Sequence, residues 1–167
     1  MVGLDVADGA VGYGVATGAL DAAFTENLED TAPSAALAAQ MRTVDLITTT
    51  GGVGYVSERT FTALVDASDN TPWVAAFALR AYDYGPIERA LAAHGLVTEQ
   101  FGASFPQRRF ADASEQRWAV EQVGANGNDP EGLETAGRYY ADFFLSRPGN
   151  EVAQRPLADL VPACAGR

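Results

Sequence analysis

The chain contains no lysine: all eleven cations are arginines, set against 22 acids, for a formal charge of -11. Cysteine occurs once, as Cys164, which excludes a disulfide framework and a thiolate metal site. Histidine also occurs once, as His94, which excludes a histidine-rich zinc cluster, and no metal centre is expected. No apolar run approaches the ~20 residues of a membrane-spanning helix. The opening Met1-Val2-Gly3-Leu4-Asp5 lacks the basic stretch of a signal peptide. The acidic balance argues against nucleic acid or an anionic membrane surface as main partner, because both attract clustered cations. The lack of lysine, only two isoleucines and abundant Ala and Gly suit a high-GC bacterial genome, and a cytoplasmic location is expected.

What remains is the composition of a globular protein. With 167 residues, 47% of them hydrophobic, the chain has the size of one domain with one substantial core. Short apolar runs alternate with helix signals along most of its length. Val2–Val6 reads as a strand ending at a carboxylate, and Asp8 as the cap of a helix carrying Val11, Val15 and Ala19 and stopping at Gly18. Phe24–Leu28 reads as a second strand. Thr31, Pro33 and Ser34 open a helix with Leu37 and Met41 on one face. Val44–Thr48 is a strand rich in β-branched residues, followed by a loop from Thr49 to Gly54 and a Ser57-capped helix with Phe61, Leu64 and Val65 inward.

The clearest unit begins at Pro72. Trp73–Leu79 is uninterrupted apolar sequence, as expected of a strand covered on both faces. A helix from Gly85-Pro86 follows, with Ile87, Ala90 and Leu91 buried, His94 in its last turn and Gly95 at its stop. Leu96–Phe101 is a further strand, which Phe105–Phe110 extends after a break at Pro106. Asp112 and Glu115 start a helix with Trp118 and Val123, and Tyr139–Leu145 reads as the last strand. Residues 1–148 form the expected α/β domain, and residues 149–167 an irregular, proline-marked tail.

Alternating strands and helices predict a doubly wound, mostly parallel sheet, which binds ligands beyond the carboxyl ends of its strands. Asp5, Glu26-Asn27, Thr48–Gly52 and Arg80–Tyr82 fall there. A carboxylate such as Asp5 can accept both hydroxyls of a ribose, or simply cap a helix. Gly12-Tyr13-Gly14 with Gly18 departs from a dinucleotide fingerprint in spacing and position, and Gly51–Gly54 lacks a P-loop lysine. No serine sits in a nucleophile elbow. His94 suits a structural role at a helix C-terminus, and Arg108-Arg109 a solvated strand edge.

In order and spacing, Val2–Val6, Val15–Leu28, Val44–Tyr55, Trp73–Leu79 and Phe143–Pro148 together resemble a class I S-adenosylmethionine-dependent methyltransferase of Rossmann-like fold. The resemblance implies S-adenosylmethionine as cofactor and methyl transfer to a small molecule. It places cofactor contacts on Asp5, Val6, Glu26, Asn27, Leu28, Thr49, Thr50 and Gly51. Substrate contacts fall on Gly52, Tyr55, Arg80 and Tyr82. It also implies an antiparallel strand pair at the C-terminal edge. One large departure accompanies it: the family's first strand, with its Gly-rich turn, has no counterpart ahead of Val2. That strand sits mid-sheet, between the family's second and fourth. Weak cofactor binding is therefore expected, together with an open sheet edge covered by a homodimer or a partner chain. The alternative is a non-catalytic relative acting through such association.

Overall fold

Two strand edges that face a common cleft dominate the architecture of the computed structural model, which describes residues 1–161. Pro162 and Cys164 lie outside the described residues. The chain runs β1 (Val2–Asp5), α1 (Asp8–Ala16), β2 (Ala22–Thr25), α2 (Ala35–Met41), β3 (Leu46–Thr50), α3 (Glu58–Asp66), β4 (Trp73–Leu79) and α4 (Gly85–Ala93). It continues through β5 (Leu96–Arg109), α5 (Ala113–Ala125), a 3-10 turn at Glu134–Ala136, β6 (Arg138–Pro148), α6 (Gly149–Gln154) and α7 (Leu157–Leu160).

The strands form two open sheets rather than one. A parallel pair joins β1 and β2, and a second sheet has the order β3-β4-β6-β5. Within it β3 and β4 are parallel, whereas β4–β6 and β6–β5 are antiparallel. The architecture is thus α/β with the expected antiparallel C-terminal pair. The expected single, mostly parallel sheet is corrected to two sheets with parallel and antiparallel ladders in equal number. β1 and β3 do not pair with each other, so the gap between them stays open.

The larger sheet carries the main core. β4 alternates between fully buried Val74, Ala76 and Ala78 and half-buried neighbours. Its buried face packs on Phe61 and Val65 of α3 and on Ile87 and Leu91 of α4. Phe61 and Leu91 are at most 1% exposed, and such side chains contribute about 1.5–3 kcal/mol each through burial. The other face of β4 is only half covered, where Phe77 lies against Phe105 and Phe143, so the expectation of two buried faces holds for one. A second cluster of Leu28, Leu37, Met41 and Leu64, with Leu4, Phe24 and Ile47 against it, bridges the two sheets.

Several boundaries move for identifiable reasons. β2 ends at Thr25 because the Glu26 carboxylate turns to accept from the Ser34 backbone N–H and hydroxyl, capping the approach to α2. β3 starts and ends two residues later than its β-branched run suggested, since Gly51, not Thr49, takes the left-handed turn at φ +67°. Asp8 lies inside α1, and the residue ahead of the helix, Ala7, donates its N–H to Asp5 Oδ1 at 2.8 Å. α1 has no buried residue, and Val15, expected inward, is 44% exposed. Its packing is instead the contact of Leu20 with Gly3 and Gly14, where an added methyl would lie 2.5–2.6 Å from the leucine. Of the segment expected to be irregular, the described residues 149–161 include α6 and α7, and they are tied down. Trp73 Nε1 donates to Glu151 at 2.8 Å, and the Leu157 N–H donates to Glu99, which also pairs with the buried Arg147.

Candidate functional site

The cleft between the sheets has a volume of about 900 Å³ and is bordered by every residue of β1 and β3. Parallel strands alternate their backbone groups from side to side. The Asp45 carbonyl accepts from Trp73 and the Gly51 N–H donates to Phe77, so the odd positions of this stretch face β4. The backbone groups of Leu46, Thr48 and Thr50 therefore point into the cleft. β1 pairs with β2 along one edge only, so alternate backbone groups of Val2–Asp5 face the cleft. Among the described residues no strand pairs with either row. Leu46 is 51% exposed on a strand that the apolar sequence around it would otherwise bury.

The carboxyl end of the cleft gathers most of the nominated residues. Asp5, Val6, Glu26, Asn27, Leu28, Thr49, Thr50, Gly52 and Tyr55 all line it. Gly51 does not border the cavity and serves the turn. Asp5 is exposed and spends one oxygen on Ala7, leaving the other to accept a hydroxyl. Asn27 fixes its own loop, accepting from the Glu29 N–H and donating to Asp30. The buried side chain of Leu28 belongs to the bridging core, so only its backbone can serve a ligand.

Glu29, which the sequence did not single out, ties this rim together. Its carboxylate accepts from the Ser57 N–H at 2.8 Å, from the Ser57 hydroxyl and from Thr60 Oγ1, linking the segment after β2 to the N-terminus of α3. Burial pushes its pKa up, but the hydrogen bonds from Ser57 and Thr60 outweigh this and hold it below the usual value. The available signal was an acid with no helix of its own to cap and a serine expected to cap a distant one.

Arg80 and Tyr82 stand apart from the cleft. Arg80 is 8% exposed and structural: Nη1 donates to Glu134 at 2.9 Å and Nη2 to the Asp129 carbonyl at 2.8 Å, with Asp142 3.9 Å from Nε. Its surroundings form a smaller hollow of about 370 Å³ on the far side of β4, beside the irregular turn of β5 at Phe101–Ala103. Tyr82 packs against Trp118 and against the loop after β3. A methyl at Gly54, whose φ is +107°, would come within 2.7 Å of the Tyr82 ring. Tyr82 thus buttresses the loop that ends in the exposed Tyr55.

Comparison with protein families, curated proteins and solved structures finds no match to this chain. The chemistry must therefore be read from the cleft itself. Its charged lining side chains are Asp5, Glu26, Glu29 and Asp45, all acids. Among the described residues no group of His, Cys, Asp and Glu could hold a metal, and no helix is long and apolar enough to cross a membrane. His94 is far from this rim in role: it caps α4, bonding the Ala90 carbonyl and Asp66. Arg108 lies on β5 and pairs with Glu115, whose carboxyl that guanidinium and the Ala111 N–H hold down to about 2.

Proposed function

We propose that the chain binds an S-adenosylmethionine-type cofactor at the carboxyl end of the cleft and directs its methyl group to a small molecule. One observation carries this reading. The strand order β2-β1, cleft, β3-β4-β6-β5 becomes that of a class I methyltransferase once a single strand is set into the cleft. Asp5 then ends the strand whose acid holds the cofactor ribose in that family. Asn27 and the Leu28 backbone border the place of the adenine, and Thr49, Thr50 and Gly52 that of the sulfonium and acceptor.

The bound cofactor supplies a methyl group on a sulfonium, which an acceptor lone pair takes in line as the carbon–sulfur electron pair returns to sulfur. The residues of the chain need only hold and align, the contribution that proximity makes to such a step. The carboxylates that line the cleft favour a cationic ligand and disfavour a free phosphate. A Gly-rich turn for the amino-acid end of the cofactor is not found beside the cleft among the described residues, so affinity is expected to be low.

Calorimetric titration with adenosine and with S-adenosylhomocysteine tests the reading. Both should bind weakly and within about tenfold of each other, because the discriminating amino-acid end meets few contacts. Asp5→Ala should weaken both by about 1.5–3 kcal/mol, the range of a hydrogen bond to a charged group. Undetectable binding of both ligands, or unchanged affinity in a folded Asp5→Ala variant, would remove the cofactor site. The two uncovered strand edges favour a second reading, a non-catalytic relative that acts through self-association or a partner chain. Light scattering separates a dimer from a monomer of 17.6 kDa.

A further inference from the structure

We infer that the cleft between β1 and β3 is a docking site for an extended strand of another polypeptide, apolar in its middle and cationic at its ends. The inference rests on the strand edges alone and not on the cofactor reading. Two rows of backbone groups face one cavity, alternate groups of Val2–Asp5 from one side and those of Leu46, Thr48 and Thr50 from the other. An exposed edge is a template for strand addition. An extended backbone satisfies both rows at once, since it carries donors and acceptors on both of its sides at strand spacing.

Length, polarity and charge define the occupant further. β1 has four residues and β3 five, so about five residues of the added strand can pair. Leu4 and Ile47 already pack on the apolar cluster beneath the cleft, which selects β-branched or aliphatic side chains on that face. Among the described residues, the charged side chains that border the cleft are Asp5, Glu26, Glu29 and Asp45, and no arginine lines it. Cations flanking the strand complement them, whereas a second copy of this chain brings a further charge of -11.

A fluorescent, N-acetylated and C-amidated heptapeptide RTVIVTR serves as the probe, titrated by anisotropy without any adenosine compound. Saturable one-to-one binding is expected. It should be lost when the central isoleucine of the peptide is replaced by proline, and at least about tenfold weaker when glutamates replace both arginines. Thr48→Pro removes a donor that faces the cleft but none that pairs with β4, so the fold should survive and binding fall roughly fivefold, as for one lost hydrogen bond. In the unaltered chain, the peptide should slow amide exchange at Leu46, Thr48 and alternate residues of β1 and leave Ile47 and Thr49 unchanged. Absent saturation, equal binding of the proline peptide, or protection outside these amides would overturn the docking site. A cofactor titration that fails while this one succeeds, or the reverse, separates the two proposals.

Discussion

The β4-β6-β5 half of the molecule and the β2-β1/β3 half end in opposite states of burial. In β4, which has a neighbour on each side, Val74, Ala76 and Ala78 are 0–2% exposed. In β1, with a neighbour on one side, no residue is buried, and in β3 Leu46 is 51% exposed. Burial here accompanies both the number of paired edges and the unbroken apolar run of β4, against the three threonines of β3. The polar groups follow the same rule. Arg80, Glu134 and Arg147 are buried in charge pairs in the closed half, whereas Asp5 and Asp45 stand exposed beside the open one.

The largest effect that would break this contrast is in the closed half. Arg80→Ala leaves Glu134, which is 1% exposed, without its cation. Unpairing a buried charge costs about 3–5 kcal/mol, and chemical denaturation should show a loss of that order. Leu91→Ala, at 0% exposure, should cost about 2–5 kcal/mol through its cavity. Leu4→Ala in the open half should cost less, about 1.5 kcal/mol, because that side chain is only partly buried. Equal losses for the two leucines would erase the distinction. Ser57→Ala removes both a helix cap and a partner of Glu29, and should cost about 1 kcal/mol.

The smallest effect is a pH dependence. The Ala90 carbonyl first, and Asp66 second, raise the pKa of His94 above its ordinary 6.5. A raised folded value means that the contribution is complete below the unfolded value and fades as pH rises through the folded one. Stability of the native chain relative to His94→Ala should therefore decline as the pH rises from below the ordinary 6.5 of histidine through the higher folded value. A flat difference across that range would show that the ring is held without its charge.

The parts of the fold legible in the sequence are those fixed by local chemistry. The unbroken Trp73–Leu79 run, Pro86 at the start of α4 and Gly95 past its end, and Asp112 accepting from Ser114 and Glu115, all act within a few residues. The position of Asp5 at the end of β1 and the order of the elements were equally readable. What escaped depends on partners distant in sequence. Pairing of Glu99 with Arg147 and with the Leu157 N–H orders the segment that its prolines made look irregular. The Arg80–Glu134 contact turns a nominated substrate residue into a structural one. Gly12–Gly14 departs from a dinucleotide fingerprint in the sequence, and the close approach there is between Gly14 and Leu20.

Residue-resolved amide hydrogen exchange on the unliganded chain tests the open-edge architecture most directly. Along β3 the account predicts an alternation: Leu46, Thr48 and Thr50 exchange rapidly because their N–H groups face the cleft, while Ile47 and Thr49 are protected by β4. The amides of β4 and β6 should exchange slowly. Uniform protection along β3, or protection of its even-numbered residues, would mean that the edge is already covered and would contradict the account.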